Sequence, residues 1–408
     1  MKLRVMSAAF LMGAASYIAM IGPAAAADLG GDCCSDLEER VAELEATTAR
    51  KGNRRVSLQI SGQVTTGVLA FDNGDQSDAY ITDFGPDSSR FRLKGSAKIN
   101  PNMSAGFVIE VSTLSARADQ VTETKDEGAD TGDGAVALRL ANWYLEHKHY
   151  GRLTVGRLNM VSDGISEIDL GGTNIVARNG LYVGNSIAFG GGSGFTIGNF
   201  FPGTDFEFDR NNAVRYDTPT FGGFTVGTSW GENDRWDIGL RYAGEHAGFR
   251  IAGGIAYGYD SDNTVLDQAI PGNTAESIQG SLSVLHVGTG LFASGSFAHR
   301  EFDIGSIEQD YWSVRGGITK NWFGIGKTAL YGEYHKSDFD TDALLSSGVG
   351  IVNGKGEIWG LGVVQNIDAA SMQLFLSYRN VSADADNVPV RTDLDDVNIV
   401  FSGAKITF

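Results

Sequence analysis

Four basic side chains, Arg90, Arg92, Lys94 and Lys98, occupy one face of an alternating run at 90–99, while Phe91, Leu93, Gly95, Ala97 and Ile99 occupy the other. Such a ladder performs no covalent step. Its chemistry is electrostatic, a row of positive charges along one side of an extended chain that must face water. Covalent chemistry is poorly provided for elsewhere. Gly227-Thr228-Ser229-Trp230-Gly231 fits the G-x-S-x-G pattern, but that nucleophile needs a strand–turn–helix setting, and 225–231 alternates as a single strand. The histidines are scattered without metal-ligand spacing, and His147 and His149 share a strand face. Asp338, Asp340 and Asp342 open like a calcium loop, yet Ala343 replaces the required Gly and Val349 the closing Glu. No catalytic residue, metal site or cofactor is assigned.

What must position the ladder is a chain that reads in twos. Val56, Leu58, Ile60, Val64, Val68 and Ala70 share one face, and Ser57, Gln59, Ser61, Gln63 and Thr65 the other. Sixteen such segments follow one another, from 56–71, 89–99 and 103–113 to 370–380 and 395–408. A soluble sandwich would bury its apolar face in one narrow core; here the segments keep coming. An even count suits a closed barrel with both ends on one side. Tight turns such as 100–102, 150–151 and 219–222 alternate with longer polar stretches at 72–88, 114–134, 259–276, 337–355 and 381–394. The longest connection, 160–211, carries Gly190-Gly191-Gly192 and Gly194, which suit a chain folded against a wall.

Composition agrees. The 408 residues include 55 Gly and only 7 Pro, and mean hydropathy is −0.11, which excludes a bundle of apolar membrane helices but not a barrel that shows lipid every second side chain. A formal charge of −18 argues against a nucleic-acid partner. Tyr144, Tyr257, Trp312, Trp322, Phe323, Tyr334, Trp359 and Tyr378 lie towards strand ends and are candidates for interfacial aromatic girdles.

Residues 1–26 read as a signal peptide, with Lys2 and Arg4 ahead of an uncharged stretch and Ala24-Ala25-Ala26 at the cleavage site. In 27–55, Ser35 and Glu38 have capping-box spacing and Leu37, Val41 and Leu44 recur at helical intervals. This segment forms either a short coiled coil between copies or a solvated linker helix. Cys33 and Cys34 are adjacent, so they staple no fold; they bridge subunits or form a passive surface pair.

These residues resemble the general bacterial porins, those of α-proteobacteria in particular. Arg90-Phe91-Arg92-Leu93-Lys94-Gly95 looks like the porin second strand. Arg139-Leu140-Ala141, Tyr150-Gly151-Arg152 and Val155-Gly156-Arg157 resemble the hairpin before the constriction loop, and 212–217 with Phe221-Gly222-Gly223-Phe224 the hairpin after it. The resemblance implies an all-β, 16-stranded antiparallel transmembrane β-barrel (56–408) with an inward-folded constriction loop (160–211) and a short N-terminal coiled-coil segment. It implies a homotrimer in the outer membrane, in contact with lipid and lipopolysaccharide and inserted by the barrel assembly machinery, for which the terminal Phe408 looks like the signal.

The same resemblance matches Arg90, Lys94, Arg139 and, as a further candidate, Arg210 to a basic wall; the shared strand face adds Arg92 and Lys98, and Arg157 is counted with them. Glu167 and Asp169 resemble the acidic loop opposite, with Asp163 as a spacing alternative and Asp205, Glu207 and Asp209 as additions. The physics is independent: a Lys or Arg facing lipid at mid-depth costs about 2–4 kcal/mol, so the ladder must face water. The implied function is a passive diffusion pore for small hydrophilic solutes and ions, selected by size and charge. The alternatives are a substrate-specific channel or an anchor that tethers the membrane to peptidoglycan. The acidic total favours cations, against the sign of the ladder.

Overall fold

The computed structural model describes residues 56–83, 87–114, 116–125, 135–178, 183–191, 194–201, 206–261, 274–303, 307–341, 353–386 and 394–408. The signal-peptide and coiled-coil readings, with Cys33 and Cys34, lie outside the described residues, as do Asp205 and the 342–349 half of the calcium-like run.

Among the described residues, antiparallel strands form one closed sheet. They are β1 (Ser57–Asp72), β2 (Ser77–Asp83), β3 (Arg90–Asn100), β4 (Met103–Leu114), β5 (Ala135–His147), β6 (Gly151–Asn159), β7 (Arg210–Asp217), β8 (Phe224–Gly231), β9 (Trp236–His246), β10 (Phe249–Asp260), β11 (Ala275–His286), β12 (Leu291–Phe302), β13 (Ile307–Lys320), β14 (Thr328–Thr341), β15 (Asn353–Ile367), β16 (Met372–Asp386) and β17 (Val397–Thr407). They make a 16-stranded barrel because β2 and β3 lie end to end along β1, which pairs with β2 over 66–72 and with β3 over 57–63. This corrects the reading of 72–88 as one long loop. Tyr80 and Thr82 turn inward and Ile81 outward, an alternation too short to stand out among Asp75, Asp78 and Asp83.

The barrel closes where β17 returns to β1, from Gln63 opposite Thr407 to Asp72 opposite Asn398. Gly62 and Phe408 exchange backbone hydrogen bonds of 2.8 and 3.0 Å at that seam. Closure gives every stave two neighbours, which satisfies the backbone where hydrocarbon could not. One rim carries the tight turns. Between β9 and β10, Ala247 and Gly248 both take positive φ (50° and 81°), the geometry of a primed two-residue turn whose twist matches its strands. The other rim carries the longest connection, between β6 and β7.

Exposed apolar side chains such as Ile60, Val64, Leu282, Val314 and Leu361 form an outward band, the signature of a surface solvated by lipid rather than water. Aromatic pairs edge it: Trp312–Tyr334, Trp359–Tyr378 and Trp236–Tyr257, with ring centroids 5.3, 5.2 and 5.5 Å apart. Tyr144 is not among them. It is 4% exposed and points inward beneath the Arg152 guanidinium, 3.8 Å from its ring centroid.

The β6–β7 connection folds inside because it brings its own apolar cluster. Ile175, Ile187, Phe189 and Ile197 are buried with Phe71, Phe375, Ile399 and Phe401 of the inner wall. A one-turn helix, Ile197–Phe200, delivers Phe200 and Phe201 against Gly354 and Gly356 of β15, where a Cβ would strike the rings. At about 25 cal/mol per Å² of apolar area removed from water, a cluster of this kind holds the segment to the wall.

Candidate functional site

Charged side chains gather inside the barrel where β3, β4 and β5 come within electrostatic reach of Arg178 and Arg210. Arg90 and Arg92 of β3 face inward, beside Glu110 of β4, which is only 2% exposed. Arg92 donates to Glu110 through Nε at 2.6 Å and pairs with it again through Nη2. Arg90 Nη1 lies 3.6 Å from the same carboxylate. Arg139 donates Nε to Glu110 at 2.8 Å, and a register shift at Glu110/Val111 explains how: Leu138 pairs with Val111 and Leu140 with Glu110, leaving Arg139 as the extra residue. A bulge re-aims a side chain in this way. Three guanidiniums therefore share one buried carboxylate. Below them Asp87 joins Arg90 at 3.5 Å and Lys405 at 2.8 Å.

The root of the inserted segment is pinned from both sides. Asp237 of β9, fully buried, accepts Ser162 N–H at 2.8 Å and Ser162 Oγ at 2.7 Å, and it also bonds the Ser229 hydroxyl. Arg241 donates to the carbonyls of Val161 and Asp163 at 3.0 and 2.6 Å, and Arg215 to those of Asn159 and Met160, both at 2.9 Å. Ser229 is thus a strand residue bonded to an aspartate that fastens the segment. Replacing Asp237 with Ala removes these acceptors, and the expected result is a noisier single-channel current with larger amplitude fluctuations. A trace as quiet as wild type would separate this aspartate from loop position.

The acids of the segment form one cluster. Glu207 accepts Gly164 N–H and Ser166 N–H, both at 2.7 Å, and the Ser166 hydroxyl. Glu167 pairs with Arg178 at 3.0 Å, and Asp209 with Arg210 at 2.6 Å. Asp163 is pushed up to about 7, first by desolvation and then by the charges of Asp209 and Glu207. Glu167 is raised as well: desolvation and the neighbouring acids outweigh the pull of Arg178. Near neutral pH the cluster therefore carries less negative charge than its carboxyl count suggests. Asp169 stands apart from this work; it accepts Gly171 and Thr173 N–H at 2.8 and 2.7 Å and shapes its own turn.

The basic wall expected from sequence is brought together at Arg90, Arg92 and Arg139, with Arg210 at the start of β7. Lys94 shares the ladder's face, opposite Gln59 and Val108. Lys98 is exposed towards the tight-turn rim, away from Glu110. Arg157 leaves the wall: it pairs with Ala141 and Asn212, three residues from the inward Thr154 and on the parity of the outward Val214. Alternation, which the motif match ignored, decides its face.

Sequence reasoning missed Glu110, Arg178 and Asp237, and also a second buried cluster on the opposite wall. There Glu333 of β14 receives Arg379 Nε at 2.8 Å and lies 3.0 Å from His335 Nε2 and 3.7 Å from Arg315 Nε. Arg315 Nη1 reaches Thr173 Oγ1 of the inserted segment at 3.2 Å. Strand parity could have found both acids, since Glu110 alternates with Ser112 and Glu333 with Tyr331 on inward positions.

Comparison with known proteins follows the same line. A family profile described as Gram-negative porin matches residues 13–387. No functionally curated sequence matches the chain. Among solved structures, the anion-selective porin of Comamonas acidovorans is 17% identical with a TM-score of 0.56, covering 86% of this chain and 100% of its own. OprB of Pseudomonas putida is 11% identical, TM-score 0.58, covering 91% and 97%. OmpT of Vibrio cholerae in its trimer form is 15% identical, TM-score 0.55, covering 87% and 100%. At these identities the likeness is one of fold.

Proposed function

Since the chain belongs to the Gram-negative porin family and is an outer-membrane diffusion channel, we propose that its lumen passes small hydrophilic solutes and ions, sorted by size and charge between the β3–β5 wall and the β6–β7 segment. The observation that carries this reading is the juxtaposition of three lumen-facing arginines on Glu110 with an inserted segment pinned through Asp237, Arg215 and Arg241. Opposed fixed charges order water across the passage and favour polar over apolar solutes. The reading gives no side chain a covalent step.

We take the working unit to be a homotrimer, as in the trimer form of V. cholerae OmpT, with lipid and lipopolysaccharide around it. Phe408 at the β1–β17 seam is the proposed assembly signal, and residues 27–55 the proposed contact with peptidoglycan. Liposome swelling tests the transport claim: rates should fall steeply with sugar size, and no swelling in any sugar would refute it. Lys94→Glu should raise cation permeability while leaving folding intact, because the side chain lies on the lumenal face. An unchanged reversal potential in a salt gradient would remove Lys94 from the ion path.

A further inference from the structure

We propose that the tight-turn rim between β5 and β11 is a docking surface for phospholipid, where His147 and His286 donate Nε2–H to headgroup phosphates with His149, His246 and Lys148 beside them. Short turns of such barrels lie on the periplasmic side, so the occupant is the phospholipid of that leaflet. Four of the chain's six histidines gather on this arc. Their outward position follows from parity: His147 alternates with the exposed Trp143, His246 with Leu240, and His286 with Leu282. His246 and His286 are the cross-strand partners of Phe249 on its two sides, and Phe249 is itself exposed.

The turns prepare two of these rings as donors. The backbone N–H of His149 donates to His147 Nδ1 at 3.2 Å, and that of Thr289 to His286 Nδ1 at 3.4 Å, with the Thr289 hydroxyl 2.7 Å from the same atom. A neutral ring that accepts at Nδ1 carries its proton on Nε2. None of the hydrogen bonds among the described residues uses Nε2 of either ring. Aromatic contact holds each plane: His147 stacks on Tyr150 with centroids 4.4 Å apart, and His286 lies against Phe249 at 4.7 Å. The same arrangement thus recurs at two separate turns.

The charge around the rings suits a phosphate. The acids nearest this arc take lumenal positions: Glu146 is opposite Arg152, Asp217 pairs with Arg215 at 2.8 Å and Glu245 with Arg250 at 2.9 Å. The turns 148–150, 218–223, 247–248 and 287–290 contain Lys148 and no carboxylate. At the other rim the outward face is acidic, with Glu276 opposite Glu301 and Glu301 opposite Glu308. A row of like charges in register repels a phosphate there. The two rims therefore present different surfaces to the two leaflets, and the tight-turn arc offers donors without acids beside them. The lipid-facing apolar band continues into it through Trp143 and Phe249.

The test refolds the mature full-length protein into vesicles that mix phosphatidylglycerol with a phosphate-free galactolipid, and counts the lipids retained after detergent extraction by native mass spectrometry. Wild type should keep phosphatidylglycerol in preference to the galactolipid. His147→Phe and His286→Phe keep the aromatic contact and remove the donor, so each should cut that preference about fivefold, the weight of one net hydrogen bond. His147→Gln and His286→Gln put an amide N–H where Nε2–H stood and should retain it. The slow-migrating folded band reports folding, and if one Phe variant fails to fold the other decides. Equal retention of the two lipids by wild type, or Phe variants that match wild type, overturns the docking surface. Loss of the preference in excess inorganic phosphate would assign the donors to a free anion and overturn the lipid as occupant.

Discussion

Glu333→Gln is expected to destabilise the folded barrel by about 3–5 kcal/mol, the cost of removing one partner from a buried ion cluster. Glu333 has no side-chain exposure, and Arg379 and Arg315 beside it are each 6% exposed. Loss of the carboxylate charge leaves two guanidiniums in the wall with no counter-ion, and neither can deprotonate to escape. The measurement is the urea midpoint of the barrel in detergent or lipid, followed by loss of the slow-migrating folded band. Adding Arg379→Gln should recover part of the deficit, since the two changes share one interaction. A Glu333→Gln midpoint equal to wild type would show that the cluster contributes nothing to holding β13, β14 and β16 together.

The second large effect separates neighbours in sequence. Leu93→Arg should cost roughly 2–4 kcal/mol if buried at mid-depth in lipid, while Lys94→Glu, one residue on, should fold normally. Leu93 pairs with Ile60 on one side and Ile109 on the other, both exposed on the outer face at 54 and 39%. Lys94 pairs with Gln59 and Val108 on the inner face. Heat resistance of the refolded variants decides it. A Leu93→Arg barrel as stable as wild type would mean that the two faces are inverted.

The barrel was legible because period-two alternation is imposed wherever one face meets lipid and the other water, and it survives in single residues such as Phe91 and Arg92. The exception is β2. Ser77–Asp83 is too short and too polar for alternation to declare itself, and only its pairing with the distal half of β1 makes it a strand. The site was legible in part. Arg90 and Arg92 follow from one strand's pattern, but Arg139 reaches Glu110 through a bulge, which no periodicity announces. Arg157 shows the opposite case: its motif points to the wall, while its pairing with Asn212 gives it the parity of the outward Val214. Strand parity marks Glu110 and Glu333 as inward acids, but the arginines each one gathers come from neighbouring strands and from beyond a bulge, and no local pattern announces them. The inserted segment was placed inside by its length and glycines; its grip on the wall depends on Phe200, Phe201 and Asp237 meeting residues far away in the chain.

The most direct test of the central claim is single-channel recording of the refolded mature protein in a planar bilayer. Ohmic current steps that close in threes are expected, with conductance scaling with salt and falling as sugars large enough to enter the narrow section are added. A folded, membrane-inserted barrel that stays silent, or whose current is indifferent to added sugars of every size, would contradict a diffusion channel narrowed by the β6–β7 segment.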